Sequence, residues 1–425
     1  MNGPKRSTRR RFLLGAGGLA AGGAGGAIAD DAFATRRQQP QGRLPLVPLG
    51  RQPTGLPVRQ HAWEATLAAD SHGNPIAPRF DRLLFFDVLG KPTRAHARTL
   101  EAALRTLERA YRWAPSGLLF TASWGHSYFE HVLGVPSPVP RAKPLSDFEL
   151  PSIDDYDLCV HFACDDERRL QAVEAALLHG APLSGSRTAS GDHAHLRISA
   201  ALVWRETRTG FAGTGLPAAH QHVGGIPAGA PVPRTAPLYM GFRSSLKRNQ
   251  ASEDAVTIPS GPFAEGSMMH VSYMRLRLDD WYGLLNQRER VARMYSPQTT
   301  PADVGRLTTD AASDPQKLGE AIRRFGVIGH AQASARARRD GKPLILRRDF
   351  DTTDGQQAGL HFVSLQRTIA DFITTRNAMN ATAAQLQNPA ITDTVNNGIN
   401  EFIFVLKRAN YLVPSRRDRS FPLLQ

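Results

Sequence analysis

The sequence predicts an α+β fold made of two related halves, each an antiparallel sheet flanked by helices. Three observations carry that reading. Short apolar runs of strand length alternate with amphipathic stretches of helical period. The order strand–helix–strand, strand–helix–strand begins once near the start and again in the second half. A Gly/Pro/His-rich segment, residues 210–234, lies between the two occurrences and reads as a connector.

Taken in order, residues 1–29 read as a targeting segment. Thr8-Arg9-Arg10-Arg11-Phe12-Leu13-Leu14 is a twin-arginine pattern, a Gly/Ala-rich run extends to Ile28, and Ala27-Ile28-Ala29 is a small-residue cleavage site. The mature chain is therefore expected to begin at Asp30 and to be exported, to the periplasm or the cell envelope and beyond. As a membrane span the run is short and rich in glycine. Residues 30–78 are Pro/Gln/Arg-rich and aperiodic, an irregular arm that is either a linker or a segment packed on the surface.

The first half, residues 79–212, opens with a strand at 82–87. A helix follows over 93–114, with Leu100, Ala103, Leu104, Leu107 and Tyr111 on one face. Further strands are expected at 117–123, 157–163 and 196–204, with a helix over 166–179 between the last two. This is the order of a ferredoxin-like module. After the connector at 213–235, residues 236–425 repeat it. A strand at 268–278 leads to a helix capped by Asp279 or Asp280 and running through Trp281 to Met294. A helix near 315–325, strands at 344–346 and 360–365, a helix over 368–386 and a late apolar run at 402–406 complete the chain.

The formal net charge is +14, and five of the basic residues precede Asp30. The remaining arginines and lysines are scattered, with no helix-turn-helix, zinc-finger or RNP pattern, so a nucleic-acid partner is not expected. Basic loops around an anionic cofactor account for the charge equally well. The two cysteines, Cys159 and Cys164, lie five apart in one strand and point to opposite faces. They read as small core residues rather than a disulfide, metal site or redox pair.

The stretch that carries chemistry is VIGHAQASARARRDGKPLILRRDFDTTDGQQAGLHFVSLQR, residues 327–367. A neutral imidazole on a packed scaffold is a natural axial ligand for haem iron, and His330 is the candidate. An arginine on the opposite face could stabilise charge on a cleaving peroxide. Arg347 is the candidate, with Arg348 the alternative. Arg336, Arg338, Arg339 and Lys342 form either a propionate-binding loop or a solvated one. The pairs His193/His195 and His220/His222 have no nearby cysteine or paired carboxylate and make a poor metal site. The stretch Asp351–Asp354 lacks EF-hand spacing.

In ordered landmarks across roughly residues 82–424, the chain resembles the dye-decolourising peroxidases, especially the twin-arginine-exported deferrochelatase/peroxidase branch. The landmarks are Asp157-Leu158-Cys159-Val160, Thr209-Gly210-Phe211, Met240-Gly241-Phe242-Arg243, Arg275-Leu276-Arg277, Trp281, the His330 segment, ILRRDF, GLHFVSLQR and Ile399–Ile403. The resemblance implies a duplicated ferredoxin-like barrel of the dimeric α/β-barrel type, with haem b in the second half. It makes His330 the proximal iron ligand and Arg347 the distal arginine. Leu360 and Phe362 would line the distal face, and Gly241 and Phe242 would border the haem.

One departure bears on the chemistry. The family's GxxDG motif carries a distal aspartate, whereas this chain reads Gly241-Phe242-Arg243-Ser244-Ser245-Leu246. Ser244 stands at the carboxylate position and is a poor base near neutral pH. Losing a positioned acid/base costs on the order of a hundred- to ten-thousand-fold in rate. His270 is a candidate replacement, as base or as sixth iron ligand, against the reading of a hydrogen-bonded core histidine. Glu253, Asp254, Met268 and Met269 are further groups that could reach the site. The expectation is an exported haem protein, a peroxide-dependent oxidoreductase with an altered distal site. The alternative is a catalytically degenerate haem carrier or sensor, or a binding module on the same fold. Expected partners are peroxide or another small molecule, the twin-arginine translocase during export, and a second copy of the chain.

Overall fold

The computed structural model describes residues 47–424 apart from 189, 191–192, 245 and 307–314. The twin-arginine segment, residues 30–46 of the Pro/Gln/Arg-rich arm and Ser245 lie outside the described residues. Residues 44–425 form one compact unit.

Eight strands close a barrel. In the first half these are β1 (Phe80–Val88), β2 (Leu119–Gly125), β3 (Leu158–Cys164) and β4 (Leu202–Phe211). In the second they are β5 (Ser267–Leu276), β6 (Ile345–Arg347 continued by Phe350–Thr352), β7 (Gly359–Gln366) and β8 (Ile403–Val413). The two parts of β6 keep one register against β7, Arg347 opposite Ser364 and Phe350 opposite His361, so they are one strand. The neighbours run β4-β1-β3-β2 in the first half and β6-β7-β5-β8 in the second, all antiparallel. Each half thus has the ferredoxin-like order. The ring closes where β2 meets β8 (Trp124 opposite Leu412) and where β4 meets β6 (Phe211 opposite Asp351).

Strand alternation gives the sheet two faces. Leu83, Phe85, Cys159, Met269, Val271, Phe350, Val363 and Tyr411 pack together inside the barrel. Their neighbours face the helices. The residues expected to form an irregular arm include Gln60, His61 and Trp63, all buried, with Gln60 Nε2 donating to the Ala122 and Pro414 carbonyls.

In the first half, α1 (Arg94–Ala110) and α2 (Glu167–His179) cover the outer face. Thr93 caps α1 by accepting from the His96 amide, and Asp166 caps α2 by accepting from the Arg168 amide. Leu100, Leu104, Leu107, Val173 and Leu177 meet Leu84, Phe86, Phe120, Phe162 and Cys164 in one apolar core. Cys159 and Cys164 are both free and buried, one on each face of β3.

The last strand of this half lies later than the sequence suggests, at Leu202–Phe211 rather than 196–204. The reason is charge inside the barrel. Glu206 and Arg208 point inward, and Arg208 pairs with Asp154 and Glu206 while stacking on Phe85. A polar-looking run was therefore an inward-facing one.

The second-half crossover between β5 and β6 is broken into short pieces. The single helix expected through Trp281 to Met294 is two, α3 (Leu278–Gly283) and α4 (Gln287–Met294). Neither Asp279 nor Asp280 caps α3. Asn286 instead starts α4, accepting from the Arg288 and Glu289 amides while Glu289 reaches back to the Asn286 amide. Then come α5 (Pro315–Glu320), which passes into a wider turn over Ala321–Phe325, and the five-residue α6 (His330–Ser334). The helix after β7, α7 (Ile369–Asn380), stops where Ala381 takes φ +49°.

Candidate functional site

Beneath these short helices the second half encloses a cleft of about 1440 Å³, open solvent at its mouth included. Ligand pockets of drug-sized molecules occupy about 300–1,000 Å³. The floor is the helix-facing side of β5, β6, β7 and β8, and the roof is α4, α6, α7 and the loop after β4.

His330 opens α6 and lines the cleft. Two glycines seat it. A Cβ on Gly329 would lie 1.8 Å from the Tyr295 carbonyl oxygen, and one on Gly398 would lie 3.0 Å from the His330 Cα. Gly398 also has φ +57°, a conformation that favours glycine. No hydrogen bond among the described residues reaches the His330 imidazole. Burial, with Arg347 and Arg376 nearby, pushes its pKa down to about 3. The ring is neutral over the physiological range, the form that binds metal.

Arg347 comes from β6. Its Nη2 donates to the Ser244 carbonyl, its Nε lies 3.4 Å from Gln250 Oε1, and Gln250 also bridges its backbone at 2.9 and 3.0 Å. The guanidinium is anchored from one side, and no hydrogen bond from Nη1 is found among the described residues. Arg348 turns the other way. It lies inside the barrel, 3.7 Å over the Trp63 ring, and donates to the His61 carbonyl. Alternation along a strand settles which of the two arginines meets the cleft.

Leu360 and Phe362 line the floor, and Phe242 and Ser244 the roof. Gly241 does not line the cleft; its φ of +89° turns the chain so that Met240 and Phe242 both do.

His270 is corrected from candidate base or ligand to core residue. It is buried, stacks 3.6 Å from Phe372, and both nitrogens are occupied, Nδ1 by Asn410 Oδ1 and Nε2 by Ser272 Oγ, each at 2.7 Å. Because the Asn410 amide nitrogen donates to the Pro140 carbonyl, its oxygen faces His270 and Nδ1 is the donor.

Other candidates also lie elsewhere. Glu253 accepts from the Trp63 and Glu64 amides and Asp254 pairs with Arg59. Met269 is inside the barrel and Met268 packs on the first-half core. Of the four basic residues after His330, only Arg338 lines the cleft, and backbone carbonyls of Ala335, Gly341 and Arg248 hold it. No cluster of three or more His, Cys, Asp or Glu among the described residues could hold a metal ion, which covers His220/His222 and Asp351–Asp354.

The cleft contains groups that sequence reasoning did not single out. Asp349 and Asp351 follow Arg347 at alternate positions and face the same way. Asp349 is 9% exposed, and its Oδ1 has no partner among the described residues. Burial raises its pKa to about 6, against the pull of Arg347 and Ser244. Asp351 accepts from the Tyr239 amide and its pKa is also raised by burial. Arg376 and Arg408 enter from α7 and β8, bridged by Glu149 at 2.6 and 2.7 Å. Arg408 is 1% exposed, yet its Nε and Nη1 have no partner. The signal for Asp349 and Asp351 was period two, counted outward from Arg347; Arg376 lies on a helix and Arg408 follows a bulge in β8, so neither carried that signal.

The residue set fits a haem. A flat apolar macrocycle suits walls of Met240, Phe242, Met274, Leu360, Phe362 and Ile403. The unbonded His330 ring suits iron, and the orphaned donors of Arg408 suit a propionate.

A family model described as a family of unknown function, DUF7405, matches residues 78–415. No curated protein matches the sequence. Among solved structures, a dye-decolorizing peroxidase from Bacteroides thetaiotaomicron is 13% identical with a TM-score of 0.53, over 84% of this chain and 99% of that one. A DyP-type peroxidase from Cellulomonas bogoriensis is 19% identical with a TM-score of 0.53, over 83% and 96%. A Rhodococcus jostii DypB variant in complex with heme is 12% identical with a TM-score of 0.51, over 85% and 99%. At these identities the likeness is one of fold.

Proposed function

The chain belongs to the DUF7405 family and has the fold of the dye-decolourising peroxidases, and from that premise we propose that it is a haem b protein that reacts with hydrogen peroxide. The observation that carries this is an unbonded, neutral imidazole, His330, in an apolar cleft that also presents a partly free guanidinium, Arg347. The fold neighbour bound to heme supports the choice of cofactor. Haem, when bound, supplies an iron that binds peroxide and exchanges electrons with it.

The chain's own residues do the rest. His330 would hold the iron. Arg347, tethered by Ser244 and Gln250, offers Nη1 to the polarising peroxide bond. Leu360 and Phe362 exclude water, which strengthens that charge interaction. Arg408 and Arg376 receive a propionate. The twin-arginine pattern supports export of the folded, loaded protein through the twin-arginine translocase.

The second reading, a haem carrier or sensor without peroxide chemistry, is favoured by two observations. Ser244 stands at the position where the resemblance puts the family's carboxylate, and no hydrogen bond from the described residues orients the His330 ring.

The absorption spectrum of the mature chain, with hemin supplied, tests both. A Soret band that His330→Ala weakens by on the order of a hundredfold or more in haem affinity is expected. A protein that stays colourless ends the proposal. A rapid spectral change on adding peroxide, slowed in Arg347→Ala, separates the enzyme from the carrier.

A further inference from the structure

Resting on the haem reading above, we propose that Asp349 is the proton-transfer group of the cleft, a carboxylate supplied by β6 in place of one at position 244. Two geometric facts carry it. Asp349 sits two residues after Arg347, between two parts of β6 that keep one register, and both side chains line the cleft. Its Oδ1 is buried in the cavity wall without a partner among the described residues. Ser244, in the loop after β4, lines the same cleft and with Arg347 lowers the carboxyl's proton affinity against the effect of burial.

A carboxylate kept for stability alone would be expected to use both oxygens or to sit in an ion pair. Asp349 does neither, having no ion pair within 4.0 Å. Asp351, the rival on the same face, also has a buried Oδ1 without a partner, but its Oδ2 accepts from the Tyr239 amide and it lies two positions further from Arg347. The titratable and charged groups that share the cleft with Asp349 are Arg347 and Asp351 on its own strand, Arg243, Tyr295, His330 and Arg338 from the segments over it, Arg376 from α7 and Arg408 from β8. Burial places its proton affinity near the working pH, where a general base is most effective.

With haem bound, Asp349 would take the proton of the near peroxide oxygen and return it to the far one. The O–O bond would break with both bonding electrons going to the far oxygen, which would leave as water carrying both protons. The near oxygen would stay with the haem, whose two lost electrons a reducing donor would later replace.

Cyanide binding to the ferric protein tests the assignment without turnover, because HCN must lose its proton as it binds. Asp349→Asn should keep the Soret band and slow cyanide association by about a hundredfold or more, with loss of the pH dependence near 6. The double variant Ser244→Asp/Asp349→Asn should recover much of the rate. Infrared spectra of the haem-free protein at pH 5 should show a protonated carboxyl band that Asp349→Asn removes. If the wild-type chain takes up no haem, the functional reading fails and this assignment falls with it. If haem is held normally and Asp349→Asn binds cyanide at the wild-type rate, the assignment alone is wrong.

Discussion

The two halves share one strand order but use the space between sheet and helices in opposite ways. In the first half a single 17-residue helix, α1, crosses from β1 to β2 and its apolar face fills that space with leucine against phenylalanine. In the second half the equivalent crossover, from β5 to β6, is divided among α3, α4, α5 and α6, none longer than eight residues. Short helices cannot cover a sheet continuously, and the uncovered floor becomes the cleft. The same floor then carries Ser272, Arg347, Asp349, Asp351 and Arg408 where the first half has Phe86, Phe120, Val160 and Phe162. A duplicated fold can thus keep one copy as a packed core and open the other as a site.

The contrast is tested first by truncation. Phe120→Ala, in the filled half, should cost about 3–5 kcal/mol of stability, whereas Phe362→Ala, half-buried on the cleft floor, should cost about 1–2 kcal/mol. Denaturant melts of the haem-free variants measure both, and equal losses would mean that the two halves are packed alike. The next test is electrostatic. The Asp349 pKa of about 6 lies above its unfolded value of about 3.9, so the folded state holds the extra proton. Stability should fall as pH rises through that window and stay lower above it. Asp349→Asn should therefore stabilise the haem-free protein by up to roughly 3 kcal/mol at pH 7.5 and by little at pH 4. A variant no more stable than wild type at pH 7.5 would show that the cleft does not desolvate this carboxylate. The smallest effect concerns the broken crossover. Asn286→Ala removes the cap of α4 and should cost about 1 kcal/mol. Faster amide exchange confined to α4, with α1 unchanged, is the expected signature.

Much of the fold was legible because period two and period 3.6 are local properties. Leu100, Leu104 and Leu107 announce α1, and GLHFVSLQR announces β7 with its alternating faces. His330, Arg347, Leu360 and Phe362, named from the sequence, do meet in one cleft. What was not legible depends on partners distant in sequence. His270 looks available until Asn410 and Ser272 occupy its nitrogens across the sheet. Asp349 looks like one more charge in ILRRDF until it is found in the wall of a cleft that Ser244, 105 positions earlier, also lines. The strand at Leu202–Phe211 was hidden by its own charges, because Arg208 is satisfied by Asp154 and stacks on Phe85.

The even spacing along β6 has a consequence for how this strand can fail. Its odd-numbered residues 347, 349 and 351 face the cleft, and its even-numbered residues 348, 350 and 352 face the barrel, much as letters fall into a reading frame. A slip of one residue against β7 would still offer the cleft an arginine, Arg348 for Arg347. It would also send Asp349 and Asp351 into the barrel, towards Asp81, and bring Phe350 and Thr352 out. The doubled arginine alone leaves the frame ambiguous. The two aspartates remove that ambiguity, because only one frame keeps both carboxylates on the arginine's side of the sheet.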